Sequence, residues 1–155
     1  MTRKNLILIA AAGSLGLLLG AFAFQYIGGL PPCKLCIWQR WPHGAAIALG
    51  AVTLVVGPYL IVAALGALAA LTTAVIGFYH VGVEQKWWEG PQGCTGFDIS
   101  GLSPAELMEA INAAPLIRCD EIAWDLMGIS MAGWNGIASL VFAAIWIAAI
   151  VAKKD

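Results

Sequence analysis

The sequence predicts an all-α membrane protein: four transmembrane helices in an antiparallel bundle, with a short loop helix lying near the membrane surface. Three observations lead there. Of the 155 residues, 61% are hydrophobic and 11% charged, far fewer charges than the roughly 25% of a soluble domain. Charge-free apolar stretches recur at or beyond the ~20 residues a helix needs to cross ~30 Å of hydrocarbon. Finally, all the acidic residues but Asp155 fall between Glu84 and Asp125, so that segment is the aqueous part. No basic run points to nucleic acid. The whole chain, 1–155, reads as one integral membrane domain.

The first span, about 5–27, follows from an uncharged run that is almost wholly apolar from Leu6 to Phe24. A cleaved signal peptide is the rival, because Arg3 and Lys4 precede the run and Ala21-Phe22-Ala23 has a small-x-small pattern; the run exceeds the usual 7–15 residue apolar core of such peptides. Ala12, Gly16 and Gly20 recur every four residues, a spacing that lets a second helix approach closely. No charge appears between Arg40 and Glu84, and as one helix that stretch would extend about 65 Å, twice the hydrocarbon thickness. It must fold back, and Gly57-Pro58 is the break, since proline cannot donate to the helix ladder and the residue before it avoids the helical region. Spans of about 41–57 and 59–79 result. Pro42 either opens the second of these helices or kinks it, and on that choice depends whether Cys36 and Arg40 share a face.

The long loop, about 80–131, contains its own helix start: Ser103 as N-cap, Pro104 at the first turn, Glu106 closing a capping box and Leu102 paired with Leu107. Leu107, Met108 and Ile111 share one side, which suits a helix on the membrane surface or one packed on its own loop. The last span, about 132–152, ends at Lys153-Lys154. Four spans place both termini on one side and the loops 28–40 and 80–131 on the other. Lys and Arg are evenly divided between the sides, so the positive-inside rule does not orient the chain. The cysteines do: all four lie in the two loops, and persistent disulfides belong outside the reducing cytosol. The termini are expected to be cytoplasmic, the cysteine loops periplasmic. Most of the tryptophans, among them Trp38, Trp41, Trp87, Trp88, Trp124 and Trp134, border those loops as an interfacial belt would.

The chemistry lies in Cys33-Lys34-Leu35-Cys36 and in Cys94 and Cys119. A zinc site would need a second closely spaced pair, which Cys94 and Cys119 do not form. A c-type haem site needs histidine after the second cysteine, where this chain has Ile37. Two redox pairs on one membrane face suggest a relay by thiol–disulfide exchange. Cys36, near a helix start and close in sequence to Arg40, suits a low-pKa thiolate, although an arginine at this depth also serves simply by snorkelling to headgroups. With no nucleotide fingerprint, haem motif or cluster in sight, a lipid-soluble quinone is the electron sink most available in the bilayer.

The run Cys33-Lys34-Leu35-Cys36-Ile37-Trp38-Gln39-Arg40 resembles the C-x-L-C-x-x-x-R motif of the DsbB family, the quinone-dependent oxidases that regenerate the periplasmic thiol oxidase DsbA. The resemblance extends along the chain, through the second cysteine pair to Trp124-Asp125 before the last span. It implies that Cys94 forms the mixed disulfide with a DsbA-like partner, that Cys119 attacks Cys33, and that Cys36 is left to reduce ubiquinone with Arg40 beside the ring. His80 is similar in position to a histidine that the family places near the quinone; an interfacial histidine satisfied by water or backbone is the alternative. His43 has no such counterpart and reads as structural. The stretch between Cys94 and Cys119 departs from the pattern. Energetics favours the direction of flow, since DsbA at about -120 mV requires an acceptor of higher potential. The expected protein is thus an inner-membrane oxidoreductase with ubiquinone or another membrane quinone as cofactor and no metal. Two alternatives are a conduit running electrons outward to reduce periplasmic disulfides, and a tetraspan scaffold stapled by its disulfides.

Overall fold

The computed structural model describes residues 1–94, 103–113 and 117–153. Helix α1 (Arg3–Tyr26) starts where Thr2 Oγ1 accepts the Asn5 N–H at 3.4 Å. It ends before Gly29, whose φ of +67° only glycine takes without cost. Pro31 and Pro32 then carry the chain to Cys33, the N-cap of α2 (Lys34–Val56). Pro42 lies inside α2, which already begins at Lys34. Cys36 and Arg40 are therefore four residues apart on one helix and share a face. Gly57, at φ +98°, and Pro58 make the sharp turn into α3 (Leu60–Glu84).

Helix α4 (Pro104–Ala113) has the expected capping box: the Ser103 N–H donates to Glu106 Oε2 at 2.8 Å while Ser103 Oγ accepts the Glu106 N–H at 3.4 Å. Leu102, the other half of the expected staple, lies outside the described residues. The chain then makes a hairpin that sequence periodicity did not indicate. Strand β1 (Asp125–Leu126) pairs antiparallel with β2 (Ile129–Ser130) around Met127 and Gly128, both at positive φ (55° and 75°), the geometry of a two-residue primed turn. Ser130 Oγ then caps α5 (Met131–Val151) through the Gly133 N–H at 3.2 Å.

The four long helices form a ring in which each packs on two others: α1 on α2 and α5, and α3 on α2 and α5. Every neighbouring pair is antiparallel. The start of α1 meets the end of α5, where the Arg3 guanidinium donates to the carbonyls of Ala149 and Ala152, both at 3.0 Å. Arg3 thus satisfies orphan carbonyls at a helix C-terminus. Small residues set the close approaches. A Cβ at Gly50 would run into Ala11, and one at Gly66 into Trp146. At Gly77 it would lie 3.0 Å from Ala132 O and 3.1 Å from Gly136 Cα. One end of the bundle is filled by Ile7, Ala46, Ala63, Ala67 and Trp146; the other holds the cysteines.

Helices α1, α3 and α5 are each long and apolar enough to cross a membrane, and they cover the first, third and fourth expected spans. Helix α2 has 23 residues, with Lys34, Gln39, Arg40 and His43 concentrated in its first half. The four-residue stripe on α1 is not a close helix contact: nothing lies within 4 Å of a Cβ built at Gly16 or Gly20. Those two glycines leave space instead.

Since the Gly77 contact is with backbone, Gly77→Val should force α3 and α5 apart at a cost of about 1–3 kcal/mol. Unfolding of the purified protein by SDS should then occur at a lower detergent fraction than in the parent.

Candidate functional site

Cys33 ends an extended Pro-Pro segment and caps α2 with its own sulfur, which accepts the Cys36 N–H at 3.2 Å. The Cys36 Sγ lies 2.8 Å from Cys33 Sγ. This places both sulfurs at a helix N-terminus, where the dipole favours thiolate. The hydrogen bond to Cys36, and then burial, push the Cys33 thiol well above its usual value.

Cys94 and Cys119 are bonded to each other, and both are fully buried. Their loops are tied together by the Cys119 N–H donating to Cys94 O at 2.6 Å. Lys34 Nζ fastens the start of α2 to the same loop through Gln92 O at 3.0 Å. The two cysteine pairs fall into one buried cluster with Leu35 and Val83.

His80 stands between the pairs. Its Nε2 is 3.6 Å from Cys33 Sγ and 3.2 Å from Cys119 O, and its Nδ1 is 3.1 Å from Gln39 Nε2. The protons follow from the partners. Gln39 Nε2 donates to the Leu35 carbonyl at 3.2 Å, which can only accept, so the Gln39 amide nitrogen faces His80 and its Oε1 faces away. His80 Nδ1 then accepts, and Nε2 carries the hydrogen directed at Cys119 O and Cys33 Sγ. Ligand atoms of Cys33, Cys36 and His80 lie within 4.8 Å of one another, the makings of a three-ligand site for a soft cation. The protonated Nε2 does not coordinate in this arrangement.

The other side of the CxxC faces a cavity of about 280 Å³ between α1, α2, α5 and the hairpin. Its walls include Gly16, Gly20, Phe24, Met131 and Trp134, and its polar edge is formed by Cys36, Gln39, Arg40, His43 and Asn135. Cys36, Gln39, Arg40 and His43 occupy positions i, i+3, i+4 and i+7 of α2, one continuous face. Arg40 is held by α1, donating from Nη1 to Gln25 Oε1 at 2.5 Å with its guanidinium 5.1 Å from the Phe22 ring centroid. The hairpin closes one end, fixed by Trp124 against Phe24 (centroids 5.1 Å apart) and by Trp134 Nε1 donating to Leu126 O at 3.1 Å.

The structure thus gathers all four cysteines, Arg40 and His80 into one region. His80, expected beside a quinone ring, does not line this cavity; it contacts Cys33 and Cys119 instead. Gln39 and Asn135 are additions. Asn135 Nδ2 donates to Gln39 Oε1 at 2.7 Å and to Thr73 Oγ1 at 3.2 Å. The i, i+3, i+4, i+7 spacing on α2 carried the signal for Gln39 and His43, once Pro42 is inside the helix.

A membrane protein of antiparallel helices, with a CxxC set between a buried disulfide and an apolar cavity, is a thiol–disulfide device. Comparison with known proteins specifies the kind. The chain matches the family model described as "Disulfide bond formation protein DsbB" over residues 3–149. It is similar to "Disulfide bond formation protein B 2" of Pseudomonas aeruginosa, 31% identical over 144 residues that make up 88% of this chain and 85% of the relative. Shewanella sp. (strain MR-4) has a "Disulfide bond formation protein B" that is 29% identical over 135 residues, 84% of this chain and 77% of that protein. An "Uncharacterized protein RP370" of Rickettsia prowazekii is 27% identical over 146 residues, covering 89% and 83%. No solved structure matches at a significant level. The chain belongs to the DsbB family of disulfide bond formation proteins. Membership implies an oxidoreductase of disulfide formation in a multi-pass membrane protein.

Arg118 flanks Cys119 and grips Asp120 with two hydrogen bonds, 2.9 Å from Nε and 2.6 Å from Nη2. These hold the Asp120 carboxyl below its usual value. A carboxyl whose pKa is lower folded than unfolded stabilises the fold above the ordinary carboxylate range, near pH ~4, and the contribution is lost as pH falls through the lowered value. Reduction of Cys94–Cys119 by a phosphine, which acts in acid, should accelerate below about pH 4 in the parent and show no such step in Asp120→Asn.

Proposed function

We propose that the protein oxidises a periplasmic DsbA-like thiol oxidase and passes the electrons to ubiquinone or another membrane quinone, in the order Cys94/Cys119, Cys33/Cys36, quinone. The observation that carries this reading is the position of the CxxC: Cys33 faces the buried disulfide through His80, while Cys36 borders the cavity. On this reading α2 is the fourth membrane span, both termini are cytoplasmic and the cysteine loops lie in the periplasm at the bacterial inner membrane. Helix α4, with Met108 and Ile111 exposed, rests near the membrane surface.

The exchange steps conserve two electrons throughout. A thiolate of the partner attacks Cys94 Sγ, forming a mixed disulfide and releasing Cys119 as thiolate. Cys119 attacks Cys33 Sγ of an oxidised Cys33–Cys36 pair, and the Cys36 thiolate leaves. The partner's second thiol displaces Cys94, and Cys94 in turn displaces Cys33 from Cys119, restoring the Cys94–Cys119 disulfide and leaving the CxxC reduced. The His80 Nε2–H stabilises charge on Cys33 during these exchanges. A bound quinone supplies the two-electron, two-proton acceptor that returns Cys33 and Cys36 to the disulfide. The cavity suits such a group: its walls are largely apolar, Gly16 and Gly20 leave room, and Cys36 and Arg40 lie at its polar edge. A stapled scaffold has no use for a cavity bordered by a thiol.

Purified protein mixed with reduced DsbA-like partner and a soluble ubiquinone analogue should consume quinone absorbance at 1:1 stoichiometry with new partner disulfide. Cys36→Ser should abolish the consumption; undiminished quinone loss in that variant would sink the mechanism. A Cβ at Gly20 has nothing within 4 Å, and Gly20 lies in the cavity wall, so Gly20→Leu extends into the cavity. It should raise the quinone KM roughly tenfold, about 1.4 kcal/mol, with the fold intact by SDS unfolding.

A further inference from the structure

The hydrogen-bond chain that starts at the Leu35 carbonyl continues past Gln39 and ends at His43. Because Gln39 Oε1 accepts, the group facing it on Asn135 is the donor Nδ2, and Asn135 Oδ1 faces His43 Nε2 at 2.8 Å. Thr73 supports the same assignment: its hydroxyl donates to Gln39 O at 3.1 Å and so accepts from Asn135 Nδ2. His43 Nε2 therefore carries the hydrogen and donates it to Asn135, leaving Nδ1 with a bare lone pair. That nitrogen is buried and has no partner among the described residues. Of the buried polar atoms in that condition, Ser14 Oγ, Ser139 Oγ and Trp146 Nε1 belong to residues that do not line the cavity, whereas His43 does. His43 itself is only 3% exposed.

A buried acceptor without a donor is costly, and the cavity is where a donor can come from. A ring carbonyl offers only lone pairs. A ring hydroxyl offers a hydrogen. We propose that His43 is a ring-binding residue of the cavity, whose Nδ1 accepts a hydrogen bond from a hydroxyl of the reduced, hydroquinone form of the quinone, so that the site binds the reduced form more tightly than the oxidised one. The inference rests on the quinone reading above and goes beyond it by assigning a redox preference to a residue on α2 one turn deeper than Gln39 and Arg40. The fixed tautomer is what makes the preference one-sided. Asn135 and Thr73 act as positioning residues, holding Nε2–H and so keeping Nδ1 an acceptor.

The test measures binding and not turnover. In the full-length Cys33→Ser/Cys36→Ser protein in detergent, anaerobic titration with a short-chain ubiquinone and with its hydroquinone is followed by quenching of tryptophan fluorescence, Trp124 and Trp134 being in the cavity wall. The hydroquinone should bind roughly two- to tenfold tighter, the range for one neutral hydrogen bond. His43→Phe in that background keeps the ring volume but has no acceptor, and should bring the ratio to about one by weakening only the hydroquinone. His43→Leu should do the same. An unchanged ratio in a folded variant overturns the proposal, as does tighter binding of the oxidised form by the parent. If the parent binds neither form, the quinone reading itself fails. A second measurement needs no substitution: with 15N-labelled histidine, the His43 Nδ1 resonance should shift on addition of hydroquinone and stay in place with the oxidised ring. A resonance unmoved by bound hydroquinone overturns the assignment.

Discussion

The Leu35 carbonyl, by accepting from Gln39 Nε2, settles the direction of a whole hydrogen-bond network. A glutamine amide presents a donor on one side and an acceptor on the other, so fixing one side fixes its neighbours. Through the donor side His80 becomes an Nε2–H tautomer facing Cys33 and Cys119. Through the acceptor side Asn135 and then His43 are oriented. Neutral, buried and nearly saturated, such a network rigidifies without the desolvation cost of buried charge. It also joins α2, α3 and α5 at the level where the cysteines sit.

That rigidity matters because thiol exchange requires near-contact between sulfurs, while the participating cysteines come from separate parts of the chain. Cys33 and Cys36 are placed by the start of α2, Cys94 and Cys119 by a loop pinned through Lys34 to Gln92 O and through Trp88 Nε1 to Tyr79 O. The β1–β2 hairpin performs a comparable task on the cavity side. Its tight turn at Met127 and Gly128 ends in Ser130, so the residues that close the cavity are fastened directly to the first turn of α5. The Ser130 hydroxyl also bonds Glu84 at the end of α3, linking the hairpin to the helix that carries His80.

Much of this was legible from the sequence because it rests on strong local signals. Uncharged runs gave the apolar helices, Gly57-Pro58 the reversal, Ser103 to Glu106 the capping box, and CxxC with Arg40 the reactive end. What was not legible depended on tertiary context. Pro42 is compatible with either a helix start or a helix interior, and only packing decides. Gly16 and Gly20 have the spacing of a helix–helix contact, yet whether a neighbouring backbone comes close is a property of the bundle. The hairpin is two residues per strand, too short to show alternation. His80 is visible in the sequence, but which of two adjacent sites it faces depends on the rotation of α3, and periodicity does not fix that. His43 has no motif around it, and its bonds to Asn135 and Thr73 depend on helices that the sequence does not place beside it.

The ring of helices has a further consequence in how its two ends respond to change. Near the Arg3 end the interior is built from Ile7, several alanines and one large indole, Trp146, seated over Gly66. Its buried Thr53 hydroxyl bonds locally, to Leu49 O of the same helix, so it prescribes no direction across the bundle, and many sets of apolar residues of equal volume would fill the rest. At the cysteine end each buried group dictates the identity and orientation of the next. One molecule therefore contains a permissive half, which could be retailored to membranes of different thickness or to new helix partners, and an exacting half in which single-atom changes propagate across three helices.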